Sequence, residues 1–411
     1  MKPDLDDVLA LVTELGRERF APRAAGYDLD ATFPFENYAD LRQHGLLGLC
    51  VPQASGGMGA DYRQYSLVAA ELGRYCGATA LTFNMHSSSS LWSSQLCDDL
   101  DMDPAQRAAH QSRRAAMYEG IVQRGVLYAQ PFSEPGSRIA GGPGVWDTVA
   151  TPVEGGWRLN GRKHFASLSG AANVYTVTAT EQVTGAEQPA NFTDTLFLGV
   201  AAEAEGFSIS GSWDPLGMRA TVSRTLDLVD VFVPTEAQVI PRGMYAQMAR
   251  RWPHMFMTLC PTYVGVAQAA FDFTVAYLRG EVAGGAPGPP RRRSTTKQLA
   301  VAEMRVKLDQ LQAMFLRAIG EAGVDPAREV RMRAFSTQFS VMELANDICR
   351  LAIRTCGGGA IARTFPLERY YRDSRCGSLM LPWTAEICLE RLGRESLFDQ
   401  PGERDTPNPE Q

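Results

Sequence analysis

The sequence predicts an α+β protein in three parts, helical, then β, then helical, and three observations carry that expectation. Near the N-terminus Val8, Leu11, Val12 and Leu15 recur at i, i+3, i+4 and i+7, which places one apolar stripe on a helix. Past Gly125 the chain changes to short runs rich in Val, Phe, Thr and Leu, each bounded by turn residues. After Pro234 the helical period returns, with Val301, Met304, Leu308, Leu311 and Phe315 spaced as in helices packed into bundles.

In the first part, residues 36 to 48 and 62 to 75 also read as helices, separated by VPQASGGMGAD, whose Pro and paired glycines mark a loop. The charged stretch through residue 120 favours helix too. In the second part the strand candidates are GVLYAQPF, GWRLNGRKHF, NVYTVTAT, DTLFLGV and TLDLVDVFVP, and Asn160-Gly161 predicts a hairpin turn. In the third, GEVAGGAPGPPRRRSTT interrupts the helices as a loop, and the tail DQPGERDTPNPEQ is too polar to pack. The expected organisation is a helical domain over 1–124, a β-domain over 125–236, a helical bundle over 237–398 and a disordered tail over 399–411.

A chain of 411 residues with 45% hydrophobic and 21% charged residues has the composition of a packed globular protein. Its net charge of -6 argues against gripping nucleic acid phosphates, which needs a basic surface. No run of about 18 apolar residues predicts a membrane span. Asp4, Asp6 and Asp7 stand where a targeting segment is basic or acid-poor, so a cytoplasmic location is expected. The eight cysteines are scattered without a CxxC pair, and they read as buried reduced thiols with no metal site.

Six stretches, in order across nearly the whole chain, resemble the acyl-CoA dehydrogenase family. LRQHGLLGLCVPQASGGMGADYRQYSLVAAELGR is similar to its early helix, Gly-rich turn and following helix, and AQPFSEPGS to its "T-E-P-G-x-G-S" segment. WRLNGRKHFASLSGAANVYTV resembles its "LNGxKxWIT" flavin loop, and DPLGMRATVSRTLDLVDVFVP its "LGxRxS...VxVP" strand pair. TYVGVAQAAFDFTVAYLR and GGGAIARTFPLERYYRDSR match its C-terminal helices and loops. The resemblance implies a central β-barrel-like domain, a C-terminal four-helix bundle, FAD as cofactor and a homo-oligomer, with a tetramer expected; the heptad-like Val301 to Phe315 face offers apolar area to a neighbour or forms the bundle core. It places Phe132, Ser133, Phe165 and Ser167 against the flavin ring, Phe165 standing for the family's usual Trp, and Thr384 and Glu386 beside it. Gly357 and Gly358 would approach the adenine end of FAD from a neighbouring subunit. The family's "RxxFG" motif is absent, and Arg291, Arg292 and Arg293 lie in about its place, where a solvated basic loop is the plainer reading.

The implied reaction is α,β-desaturation of an acyl thioester, on CoA or an acyl-carrier protein, with electrons passed to an electron-transfer flavoprotein. That chemistry needs a carboxylate to take the α-proton. The family's "YEGT" Glu falls here on Pro382 or Thr384 according to register, and its alternative position, ten residues before Gly265, falls on Met255. Pro253 and Phe256 replace the usual CoA clamp. Glu386 is the nearest carboxylate in sequence, with Tyr263 and His254 as remoter bases. Two alternatives stay open, a reduced-flavin monooxygenase and a flavin-binding subunit without turnover. His86, beside four serines, reads as a buried structural histidine that could also line the acyl pocket with Met85 and Trp92.

Overall fold

The computed structural model describes residues 4–135, 145–182, 190–283, 291–380 and 383–398. The expected tail and the glycine-rich part of the loop before Arg291 lie outside them. The N-terminal helices are α1 (Leu5–Leu15), α2 (Ala21–Asp30), α3 (Phe35–Gln43), α4 (Tyr62–Tyr75), α5 (Gly77–Leu91) and α6 (Pro104–Glu119). Their starts are written in the sequence. Asp4 caps α1, while Asp61 with Gln64 and Asp103 with Gln106 form reciprocal capping boxes on α4 and α6. The stripe on α1 points inward, with Val8, Val12 and Leu15 buried.

Helix α5 is buried on almost every side although it carries four consecutive serines. Three of the hydroxyls are absorbed locally: Ser88 donates to the Asn84 carbonyl at 2.6 Å, Ser89 to the Met85 carbonyl at 3.3 Å and Ser90 to the Ser87 carbonyl at 2.9 Å. Gln130 then bridges Ser88 and Ser89 at 2.8 and 3.1 Å, fastening the start of the β region to this helix.

The strands are β1 (Tyr128–Ala129), β2 (Val149–Val153), β3 (Gly156–Ala166), β4 (Val174–Glu181), β5 (Thr195–Ala201), β6 (Phe207–Ser210), β7 (Arg224–Pro234) and β8 (Gln238–Ile240). They form one mixed sheet in the order β6-β7-β3-β2-β4-β5-β8, with β1 parallel to β4. The helical, β, helical order holds. The sheet, however, is open and not closed into a barrel: β6 and β8, the short end strands, each have one neighbour among the described residues. Asn160-Gly161 is not a turn either. It lies inside β3 at a register shift, where a side chain on Gly161 would meet Thr148 at 2.5 Å, and the turn between β2 and β3 falls at Glu154-Gly155.

The C-terminal helices are α7 (Met244–Arg251), α8 (Cys260–Arg279), α9 (Thr295–Gly320), α10 (Arg328–Cys356), α11 (Leu367–Cys376) and α12 (Ala385–Leu397). Helices α8, α9 and α10 pack side by side, α11 and α12 rest on α10, and α4 lies along α8. Met304, Leu308, Leu311 and Phe315 are buried within this bundle. The face expected to meet a second subunit is therefore the bundle's own core. Seven of the eight cysteines are buried, Cys376 is half-buried, and all are free.

Candidate functional site

Lys163 and Phe165 end β3 two residues apart, yet Lys163 is fully buried and Phe165 is 68% exposed. The Lys163 ammonium donates to the Glu134 carboxylate at 2.6 Å and to Thr178 Oγ1 at 3.1 Å, and sits 4.7 Å from the centre of the Trp146 ring. Glu134 also accepts from the amides of Asp147 and Thr148 at 2.7 and 3.0 Å and from the Thr148 hydroxyl. Burial pulls the Lys163 ammonium down to about 8 even with Glu134 beside it. The pair ties the 130–135 segment to β3, and the His164 amide donates to the Ser133 carbonyl at 2.7 Å. Phe132 and Ser133 are thereby brought beside Phe165 and Ser167. The Phe132 ring joins an aromatic cluster with Trp92, Phe197 and Tyr245 at 5.7, 6.1 and 6.2 Å between centroids.

The irregular register between Lys163 and Ala166 turns Phe165 off the sheet in a left-handed conformation, φ +51°. An aromatic residue held so costs roughly 1–3 kcal/mol, a cost typical of residues presented to ligands. Its ring stands edge-to-face with Trp213, 6.4 Å away. Leu168 and Ser169 donate their amides to the Thr221 and Val222 carbonyls at 3.0 and 3.1 Å, so this loop rests on the 214–223 loop. Ser167 Oγ lies 2.8 Å from Ser223 Oγ, which lies 2.7 Å from Thr221 Oγ1, which donates to the Met218 carbonyl at 2.8 Å. The second loop is fixed in turn by α11. The Met218 amide donates to the buried Asp373 carboxylate, and Arg372 donates to the Leu216 carbonyl at 3.0 Å while bridging Asp28 and Glu368. Burial pushes Asp373 up to about 6.

Gly357 and Gly358 stand elsewhere, at the end of α10. Gly357 has φ +87°, and a side chain on Gly358 would meet nothing within 4 Å. Arg291 donates to the Cys356 carbonyl at 3.3 Å and Lys297 to that of Thr355, so part of the basic loop caps α10. The buried Thr355 hydroxyl has no partner among the described residues. Thr384 caps α12 and Glu386 is exposed in its first turn. Trp383 packs on Phe335, 4.7 Å away, and its carbonyl accepts from Gln338, so Thr384 and Glu386 lie along the first half of α10. From Gln338 to Cys356 the helix spans about 27 Å at 1.5 Å per residue. Within one chain the glycines and the Thr384–Glu386 turn do not share a site.

Met255 is buried and offers only a thioether, and Pro382 lies outside the described residues. The buried Tyr263 hydroxyl contacts Met380 Sδ at 3.5 Å, and burial raises its pKa well above the ordinary phenol value. His86 is structural: one ring nitrogen meets the Leu47 carbonyl at 3.0 Å, the other accepts from the Tyr128 amide at 3.2 Å, and burial lowers it to about 4. His254 is also buried and pulled down to about 4, with neither ring nitrogen partnered among the described residues. The sequence reading missed Trp213, Thr221, Ser223 and Asp373. Their signal lies in WDPLGMRATVS and YRDSR; the stretch from Asp214 that resembles a strand pair folds as a loop as far as Ser223, before β7.

The exposed left-handed aromatic at Phe165 beside neutral hydroxyls suits a flat heteroaromatic ring, and the open glycine loop with the unpartnered Thr355 hydroxyl suits a polar extension. Family models for the N-terminal and C-terminal domains of acyl-CoA dehydrogenase match residues 2–95 and 257–379. The chain is 29% identical to the putative acyl-CoA dehydrogenase YdbM of Bacillus subtilis, over 93% of this chain and 96% of that one. It is 30% identical to L-evernosamine nitrososynthase of a Micromonospora species, over 92% of this chain and 87% of that protein. The structure of KijD3 in complex with FMN and a dTDP-linked amino keto sugar superimposes with a TM-score of 0.79 at 24% identity, covering 94% of this chain and 93% of KijD3. Among the described residues no helix is long and apolar enough to cross a membrane. From its two matched domains and its relatives, the chain belongs to the acyl-CoA dehydrogenase family of FAD flavoproteins.

Proposed function

We propose that this family member is a flavin-dependent monooxygenase that uses reduced flavin and dioxygen, with an amine nitrogen as the first substrate class to test. One observation carries the reading. Of the positions where the family places its proton-abstracting carboxylate, those described here hold a buried Met255 and a Thr384 whose hydroxyl caps a helix, while the nearby Glu386 is exposed on α12. The buried carboxylates that border the Phe165 loop and its support are already committed, Glu134 to Lys163 and two amides, and Asp373 to the Met218 amide. Oxygen transfer to nitrogen needs no such base: R–NH2, O2, two electrons and two protons give R–NHOH and water. The likeness to L-evernosamine nitrososynthase supports the amine.

Bound reduced flavin supplies the two electrons of that reaction. The chain's own residues bind and orient it. Phe165 covers the ring, Ser133 and Ser167 meet its polar edge, and the Gly357–Gly358 backbone with Arg291 accepts the far end of FAD. Because the glycine loop and the Thr384–Glu386 turn lie toward opposite ends of α10 within one chain, the glycine loop serves a neighbour's flavin, and the working protein is a homo-oligomer. Light scattering that found a monomer with FAD fully bound would remove that part of the reading.

A second reading is favoured by the likeness to YdbM. It is desaturation of an acyl thioester, on CoA or a carrier protein, with electrons leaving to an electron-transfer flavoprotein. An anaerobic titration separates the two. Acyl thioesters that bleach the bound, oxidised flavin would establish desaturation, whereas oxygen consumption by the reduced protein, coupled to hydroxylamine formation from an amine, is the expected result.

A further inference from the structure

The hydroxyl chain beneath Phe165 has a direction, and the direction fixes what Ser167 can offer a ligand. A carbonyl oxygen only accepts, so the single proton of Thr221 must point at the Met218 carbonyl, 2.8 Å away. Thr221 Oγ1 then accepts from Ser223 across 2.7 Å, which uses the only proton of Ser223. Ser223 Oγ in turn accepts from Ser167 across 2.8 Å. The Ser167 proton therefore points into the protein, and its oxygen presents lone pairs alone. The backbone that carries this carbonyl is braced by its contacts. Met218 is held left-handed, φ +53°, by the Asp373 carboxylate, and a side chain on the preceding Gly217 would meet the Arg372 backbone at 2.4 Å.

We propose that Ser167 is an acceptor-only contact to the flavin, with Thr221 and Ser223 as positioning residues, and that this relay biases the site toward the reduced cofactor. The inference rests on the flavin reading above. Oxidised isoalloxazine presents a bare ring nitrogen at N5, and reduction places a hydrogen on it. An acceptor-only hydroxyl repels the first and bonds the second. A protein that takes up reduced flavin and releases it oxidised gains from that order of affinities.

The test uses the full-length protein and anaerobic titrations with oxidised and with dithionite-reduced FAD and FMN, read as the ratio of dissociation constants, oxidised over reduced. Thr221→Val keeps the shape but removes the terminal proton, so Ser223 can donate to Ser167 and Ser167 can donate outward. Ser223→Ala frees the Ser167 proton directly. Both variants are expected to lower the ratio by about fivefold, the worth of one neutral hydrogen bond, and Ser223→Thr should restore it. Wild-type protein that binds flavin with the ratio unchanged in both variants would overturn the relay and leave the flavin reading intact. Wild-type protein that binds neither flavin in either state would overturn both.

Discussion

The end of β3 with its following loop and the loop after α10 both present backbone in a left-handed conformation, at Phe165 with φ +51° and at Gly357 with φ +87°, but they are built oppositely. The first is knitted to its own chain, through the Ser133 carbonyl, the Thr221 and Val222 carbonyls and the Ser167–Ser223–Thr221 hydroxyls. The second is open, and what holds it, Arg291 and Lys297, grips the helix end behind it. A site that must discriminate fixes its donors and acceptors in advance, whereas a site that only lets a ligand come close needs space and the lack of a Cβ.

The most damaging way to break the first loop is to remove its buried ion pair. Lys163→Met leaves Glu134 charged and buried, and should cost about 3–5 kcal/mol in urea unfolding. Flavin binding should fall with it, while the α10 end keeps its fold. A loss under about 1 kcal/mol would mean that the pair does not hold this region.

Asp373 supports the same loop with a pH signature. Its folded pKa of about 6 lies above the ordinary 3.8, with Asp28, Arg369 and Arg372 as the charged groups around it. The protonated form is thus favoured by folding, so the stability it contributes is full below pH 4 and is lost as pH rises through 6. Asp373→Asn keeps an acceptor for Met218 and cannot ionise. The stability of the variant relative to wild type should therefore rise by about 2 kcal/mol between pH 4 and pH 7. A difference that stays flat across that range would contradict the assignment.

On the open side, Gly357→Ala should cost about 1–2 kcal/mol from its backbone angle alone, while Gly358→Ala, with nothing within 4 Å, should change the unfolding midpoint little. Equal effects at the two positions would erase the distinction between an angle requirement and a space requirement. Phe165→Ala should leave unfolding within about 0.5 kcal/mol, because the ring is exposed. It should weaken FAD binding by up to about 3 kcal/mol if the ligand covers the ring. The smallest effect is expected of Glu386→Gln, exposed on α12, with FAD affinity and turnover both unchanged. Collapse of turnover with FAD still bound would restore a carboxylate-driven dehydrogenation.

Much of this fold was readable because local rules and tertiary packing agree. The period of Val8, Val12 and Leu15 and the capping residues of α4 and α6 need no knowledge of the rest of the chain. Asn160-Gly161 misleads because the same glycine that suits a turn also suits a bulge, and only the approach of Thr148, just before β2, decides between them. The Val301 to Phe315 face fits a partner contact or the bundle core equally well in sequence, because periodicity reveals an apolar face without revealing what covers it. At the site, Phe165 and Ser167 stand out through resemblance to the family. The Asp373–Met218 and Ser223–Ser167 contacts join residues separated by 155 and 56 positions, and no local pattern carries such pairings.

The buried thiols have a consequence for chemical durability. Burial holds Cys349, Cys376 and Cys388 at about 12 and Cys356 at about 11, and raises Cys50, Cys76, Cys97 and Cys260 as well. Peroxides and alkylating agents attack the thiolate, so in the folded protein these eight sulfurs are poor targets at neutral pH. Under the monooxygenase reading proposed above, hydrogen peroxide formed as a by-product would meet these cysteines in their least reactive form.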